Sequence, residues 1–161
     1  MSGRIDIRRE DPTSADAVEL IEELNATMLD LYPPEHCHHM PPETLVDKGA
    51  CFLVARDADG AVGCGAVVPL DGETVELKRF YTRPHARRSG AAKGILKALE
   101  AWSIEQGFRH MMLETGSRSD PAIALYAGHG FTTRGPFGDY EPTADTVFYE
   151  KSIAGTAPAT T

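Results

Sequence analysis

The chain predicts a single α+β domain built on one mixed sheet, and three observations carry that prediction. Cys51 to Ala55, Ala61 to Pro69 and Thr74 to Thr82 are strand-like runs separated by Asp57-Ala58-Asp59-Gly60 and Asp71-Gly72, the pattern of an antiparallel meander. Two longer stretches, one from Ser14 and one from Ala91, repeat apolar residues at helical spacing. A turn of small residues flanked by cations, Arg87-Arg88-Ser89-Gly90-Ala91-Ala92-Lys93, joins the third strand run to the second helix.

Taken in order, Ile5 and Ile7 alternate with polar residues and predict a short first strand, after which Asp11-Pro12-Thr13 supplies a turn and a helix cap. In the first helix Val18, Ile21, Leu24, Met28 and Leu31 make one buried stripe, and Pro33 stops it. A proline-bracketed loop, Tyr32 to Pro42, follows, and Glu43 to Lys48 forms a short second helix. After the meander, Ala92, Ile95, Leu96, Leu99 and Trp102 share the face of the long helix that meets the sheet, and Gly107 ends that helix. Met111 to Glu114 reads as a buried strand. Asp120-Pro121 caps a helix over Ala122 to Ala127, and Phe131 to Gly135 and Thr146 to Ser152 are the last strands. The domain spans residues 1–153. The tail, residues 154–161, is small and polar and is expected to be mobile.

Composition narrows the function. A formal net charge of −8 argues against a nucleic-acid partner and suits a cationic substrate. No apolar run approaches the length of a membrane span, the N-terminal residues lack the apolar core of a signal peptide, and Cys37, Cys51 and Cys64 stand at unpatterned spacing. These features predict a cytoplasmic protein with reduced thiols and no membrane partner. His36, Cys37, His38 and His39 are adjacent, which is not the spaced tetrahedral pattern of a structural zinc site, so no metal is expected.

The turn at Gly90 carries the chemistry. Backbone N–H groups at a helix start lack intrahelical partners and, with the helix dipole, attract an anion such as a phosphate. Ser89, Gly90, Ala91 and Ala92 let that anion come close, and Arg87 and Arg88 add charged donors. A tight connection with solvated arginines is the alternative reading of these residues alone.

With its neighbours, this turn resembles a known family, the GCN5-related N-acetyltransferases (GNAT superfamily). Arg87-x-x-Gly90-x-Ala92 is similar to the family's pyrophosphate motif, Gln/Arg-x-x-Gly-x-Gly/Ala. Glu76 to Thr82 looks like its acetyl-CoA strand, and Ala122-Ile123-x-Leu125-Tyr126-x-x-x-Gly130-Phe131 is similar to a second signature. The resemblance covers about residues 3 to 153 and implies a layered α/β/α, GNAT-like domain. Its sheet would be mixed and mostly antiparallel, of about six to seven strands flanked by helices.

What the resemblance implies for function is direct transfer of an acetyl group from acetyl-CoA to a primary amine, without a covalent acyl-enzyme, since no motif holds a catalytic cysteine. Its pyrophosphate would lie on the amides of Arg88, Ser89, Gly90, Ala91 and Ala92, with Arg87 adding charge. The strand Phe80-Tyr81-Thr82 would carry the pantetheine by β-augmentation, with Ser119 touching it in place of the family's frequent asparagine. Tyr126 falls where the family places a general acid for the departing thiolate; otherwise it is a packing aromatic. Glu76 is the candidate base, and strand alternation would place it with Lys78 and Phe80; otherwise it is a solvated or salt-bridged carboxylate. Glu35, Asp139 and Tyr140 lie in loops that choose the acceptor in the family. A small-molecule amine is the leading acceptor, and the fold's common homodimer would pair through the last strands. A non-catalytic acyl-CoA binder and a protein acetyltransferase are the competing readings.

Overall fold

The structure, a computed structural model, describes residues 4–33, 40–87, 89–117, 119–137 and 146–153. In chain order its elements are β1 (Asp6–Arg9), α1 (Ala15–Leu31), α2 (Pro42–Asp47), β2 (Cys51–Asp57), β3 (Gly60–Pro69) and β4 (Thr74–Thr82). After a 3-10 turn at Pro84–Ala86 come α3 (Ala91–Glu105), β5 (His110–Gly116), α4 (Asp120–Gly128), β6 (Thr132–Arg134) and β7 (Thr146–Ser152). One seven-stranded sheet takes the order β1-β2-β3-β4-β5-β7-β6. Only β4 and β5 run parallel; the other neighbours are antiparallel. The tail at residues 154–161 lies outside the described residues.

Strand alternation divides the sheet into two buried faces. Phe52, Val54, Cys64 and Ala66 join Ala17, Leu20, Ile21 and Leu45 under α1 and α2. Leu53, Ala55, Val75, Leu77, Met111 and Leu113 join Ile95, Leu96, Leu99 and Tyr126 under α3 and α4. The predicted hairpin forms as read: Asp57 pairs with Gly60, leaving Ala58 and Asp59 as the loop, and Gly60 takes a φ of 125° that a side chain would resist.

Several expectations need correction. The cap of α1 is Ser14, whose Oγ accepts from the Ala17 N–H at 3.3 Å, while Asp11 makes the preceding turn by accepting from the Thr13 N–H at 2.8 Å. Residue Ser119, not Asp120, stands at the N-cap of α4. The helix α1 is not one continuous core stripe. Ala17, Leu20 and Ile21 are buried, whereas Leu24, Met28 and Leu31 are half-buried because they line a cleft. Trp102, likewise, is half-buried and stacks on Phe108 at 6.3 Å, leaving Ser103 in the core, where its hydroxyl donates to the Leu99 carbonyl at 2.8 Å.

Strand β4 is kinked. Cys64 pairs with Tyr81 and Ala66 with Lys78, so Gly65 on β3 faces both Arg79 and Phe80, a β-bulge. Arg79 takes a φ of 56°, the one non-glycine residue in the left-handed region among those described. Glycine at 65 accommodates the displaced strand, since a Cβ there would come within 2.9 Å of both Phe80 and Ile95. The extra residue resets alternation beyond it. Phe80 therefore turns to the α3 face, packing on Tyr126, and does not share a side with Glu76 as alternation alone would have it.

Candidate active site

The β4–β5 ladder is short. Thr74 to Leu77 pair with His110 to Leu113, after which the strands part, although β4 runs on to Thr82 and β5 to Gly116. Parallel strands bent by a bulge on one of them cannot stay in register beyond it. The parting opens a cleft of about 1340 Å³ walled by β4, β5, the second half of α1, and the starts of α3 and α4. Glu76, Lys78, Arg79, Phe80, Tyr81, Thr82, Arg87, Gly90, Ala92, Glu114, Ser119 and Tyr126 all border it.

At one end stands the turn into α3. Gly90 caps the helix with a φ of 92° and no side-chain hydrogen bond, and its carbonyl accepts the first intrahelical bond from the Gly94 N–H at 2.9 Å. Amides ahead of that bond point out of the helix end. A Cβ added at Gly90 would meet nothing within 4 Å, so the place it would fill is open for a ligand. Not every expected amide is free, however. The Ser89 N–H donates to the Ala86 carbonyl at 3.2 Å, closing the 3-10 turn, and the Ala91 N–H donates to Ser89 Oγ at 3.3 Å. An anion could therefore be held at the amides of Gly90 and Ala92. Arg87 is exposed at the rim, and Arg88 lies outside the described residues.

Midway along the cleft, the side of β4 beyond Leu77 that faces β5 has no ladder partner among the described residues. Phe80 and Thr82 thus present backbone groups to the opening. Tyr81 can offer only its backbone, because its ring is buried toward α1 and its hydroxyl donates to Glu23 Oε1 at 3.2 Å. Glu23 also accepts from Arg83 Nη2 at 2.7 Å, and Arg83 donates to the Ala61 carbonyl at 2.9 Å. This arginine ties the far end of β4 to α1 and holds the Glu23 carboxyl below its ordinary range.

Tyr126, 4 % exposed, sits on α4 with its ring edge-on to Phe80 at 6.1 Å and to Phe131 at 5.7 Å. Burial raises its phenol well above the ordinary value, and the nearby charge of Glu114 raises it further. A phenol so placed keeps its proton at neutral pH and can donate it. Ser119, at the start of α4, has its Oγ 3.1 Å from the Tyr32 hydroxyl. Tyr32 lies so close over the end of β5 that a Cβ at Gly116 would fall 2.0 Å from its oxygen.

On the α1 side, Glu76 is buried and pairs with Lys78 Nζ at 3.3 Å. Glu114, which the sequence reading missed, lies one step beyond the last β4–β5 pair on the same side as Met112. Burial lifts its carboxyl to about 7, opposed by Lys78 and reinforced by the charge of Glu76. The signal that would have found it is the parallel register, which sets Glu76 beside Met112 and carries Glu114 to the point where the strands part. Glu35, Asp139 and Tyr140 lie outside the described residues, as do His36, Cys37, His38 and His39. Cys51 and Cys64 are buried free thiols, and no described helix is long and apolar enough to cross a membrane.

A mixed sheet that parts between two parallel strands, with a glycine-capped helix start at one end of the gap and a buried tyrosine inside it, fits the class of acyl-CoA-dependent N-acyltransferases. The chain belongs to the acetyltransferase (GNAT) family, which it matches over residues 17–131. It is 39% identical over 150 residues to an IAA acetyltransferase of Azospirillum brasilense, covering 92% of this chain and 98% of that protein. A solved structure from Klebsiella pneumoniae, assigned as an acyl-CoA N-acyltransferase, superposes with a TM-score of 0.78 at 34% identity, covering 92% of this chain and 97% of the other. A GNAT family acetyltransferase from Elizabethkingia anophelis with acetyl-CoA bound shares the fold, with a TM-score of 0.67 at 17% identity over 92% of this chain and 97% of that one. The protein is accordingly an acyl-CoA-dependent N-acetyltransferase.

Proposed function

We propose that the enzyme transfers the acetyl group of acetyl-CoA to the primary amine of a small molecule in the cytoplasm. The observation that carries this reading is that the parting of β4 and β5 gathers the Gly90 turn, Tyr126 and Glu114 around one cleft. Similarity to a relative named for acetylating IAA supports a small acceptor.

Acetyl-CoA, when bound, supplies the acetyl thioester. The amides at Gly90 and Ala92 hold its diphosphate, with Arg87 adding charge at the rim. Backbone groups of Phe80 and Thr82 orient the pantetheine as an added strand, and the Ser119 hydroxyl borders that path. Glu114 takes the proton that the amine must lose; its raised pKa suits a base working near neutrality. Glu76, the base expected from the sequence, instead holds Lys78 and adds the negative charge that keeps Glu114 basic. Tyr126 gives its proton to the departing sulfur as the C–S bond breaks and the C–N bond forms. Each of these roles needs one chain, so a homodimer would serve stability and not chemistry.

A panel of small amines with acetyl-CoA, read by thiol release, tests the proposal. Turnover of at least one amine is expected, and Tyr126→Phe should lower kcat by about 100-fold while leaving coenzyme A affinity unchanged. Silence across the panel together with tight coenzyme A binding would favour a non-catalytic binder.

A further inference from the structure

Arg79, in the cleft wall, keeps a buried side-chain nitrogen without a partner. It is 9 % exposed, and its Nε is the single buried side-chain nitrogen or oxygen, among the described residues, with no hydrogen-bond partner. Its guanidinium crosses to α1, where Nη2 donates to Asn25 Oδ1. Leu24, Thr27 and Met28, on either side of Asn25, line the same cleft. No described carboxylate is bonded to it. Glu76 faces Lys78, and Glu23 faces Arg83 and Tyr81.

A buried guanidinium is costly to keep unless an anion meets it, because its charge has lost water and gained only a neutral amide. The backbone shows that Arg79 is held in place. It is the bulge residue, in a left-handed conformation that glycine or asparagine would enter more easily, and the bulge is what sends its side chain to the α1 wall and not into the α3 core. That wall is opposite the Gly90 turn, so the diphosphate of the donor is not the missing anion. Burial also draws the guanidinium below the usual arginine range.

Building on the reading that the acceptor is a small amine, we propose that Arg79 docks a carboxylate of that acceptor, which makes the natural substrate an amino-acid-like compound with its amine toward Glu114. A guanidinium fork matches a carboxylate in plane and in charge, and Arg79 borders the cleft with only the neutral Asn25 amide as its side-chain partner among the described residues. Asn25 sets the tilt of the fork from behind.

Matched pairs that differ only in the carboxylate test this: L-phenylalanine against 2-phenylethylamine, and L-lysine against cadaverine, each with acetyl-CoA and thiol release. The wild-type enzyme is expected to favour the carboxylated member of at least one pair by about 100-fold in kcat/KM, because the plain amine leaves a buried donor unmet. Arg79→Gln should erase that ratio, and Asn25→Asp should erase it too, by giving Arg79 an internal carboxylate while keeping the fold. A binding arm is independent of turnover: in the presence of coenzyme A, N-acetyl-L-phenylalanine should raise the Tm of the wild type and not of Arg79→Gln. Equal turnover of both members by the wild type overturns the proposal. So does a lowered Tm in Arg79→Gln with all amines slowed alike, which would make Arg79 a strut between β4 and α1. Loss of all turnover with a carboxylate-dependent Tm shift intact in the wild type and absent in Arg79→Gln would sustain the carboxylate site and sink acetyl transfer to these amines. Absence of both turnover and shift would sink both.

Discussion

At the scale of single residues, two ionisable groups are displaced in the directions that the proposed reaction needs. Burial pushes the Tyr126 phenol up and lifts the Glu114 carboxyl to about 7, so one group keeps a proton to give and the other has room for one to take. Rate should follow the ionised form of Glu114, so kcat/KM is expected to fall about tenfold per pH unit below about 7. Glu114→Gln should remove that limb and lower the plateau; an unchanged profile in this variant would take the role from Glu114. Stability responds in a defined direction as well. An ordinary carboxyl titrates near 4.5 and this one near 7 when folded, so below 4.5 both states keep the proton and nothing is lost. Between about 4.5 and 7 the unfolded chain gives up that proton and the folded chain keeps it, so the wild type weakens relative to Glu114→Gln across this window and levels off above it. The gap at pH 8 is on the order of a few kcal/mol, readable as a Tm difference of several degrees. Sequence alone pointed to Tyr126 because a contiguous signature surrounds it. It could not point to Glu114 or Arg79, because their surroundings come from a strand register and a bulge that no local pattern encodes.

At the scale of elements, the turn into α3 and the bulge in β4 do most to shape the cleft. A side chain at Gly90 would have room in the free protein but would take up the φ of 92° with strain. Gly90→Ala is therefore expected to cost only about 1 kcal/mol in stability. Its effect on coenzyme A should be larger, at least about tenfold in Kd by calorimetry, because the Cβ stands where the diphosphate must come close. Comparable losses in stability and affinity would mean that the turn is merely a connection. The elements themselves were legible: the meander, both long helices and β7 fall within a residue or two of their sequence-predicted bounds, since alternation and helical spacing are local signals. What local spacing misread was the second half of α1. Leu24, Met28 and Leu31 have the periodicity of a core stripe but face a cavity, and apolar spacing does not distinguish a neighbour of protein from a neighbour of substrate.

At the scale of the whole molecule, the ligand is expected to complete the sheet. Hydrogen exchange should slow on Lys78 to Thr82 and on Glu114 to Gly116 when coenzyme A binds, and should change little on the paired segments Thr74 to Leu77 and His110 to Leu113. Protection spread evenly over the sheet would argue against a strand-like pantetheine. The same topology has a mechanical side. β1 to β4 and β5 to β7 form two half-sheets joined by a seam of four residue pairs, with α1 clamped to one half through Arg83 and touching the other through Tyr32 and Ser119. A seam that narrow is nevertheless no free hinge, because the core under α3 and α4 runs across it: Leu53, Val75 and Leu77 of one half pack in the same cluster as Met111, Leu113 and Tyr149 of the other. The cleft is thus a gap in the hydrogen-bonded ladder laid over an unbroken core, so packing sets its width more than the strands that line it.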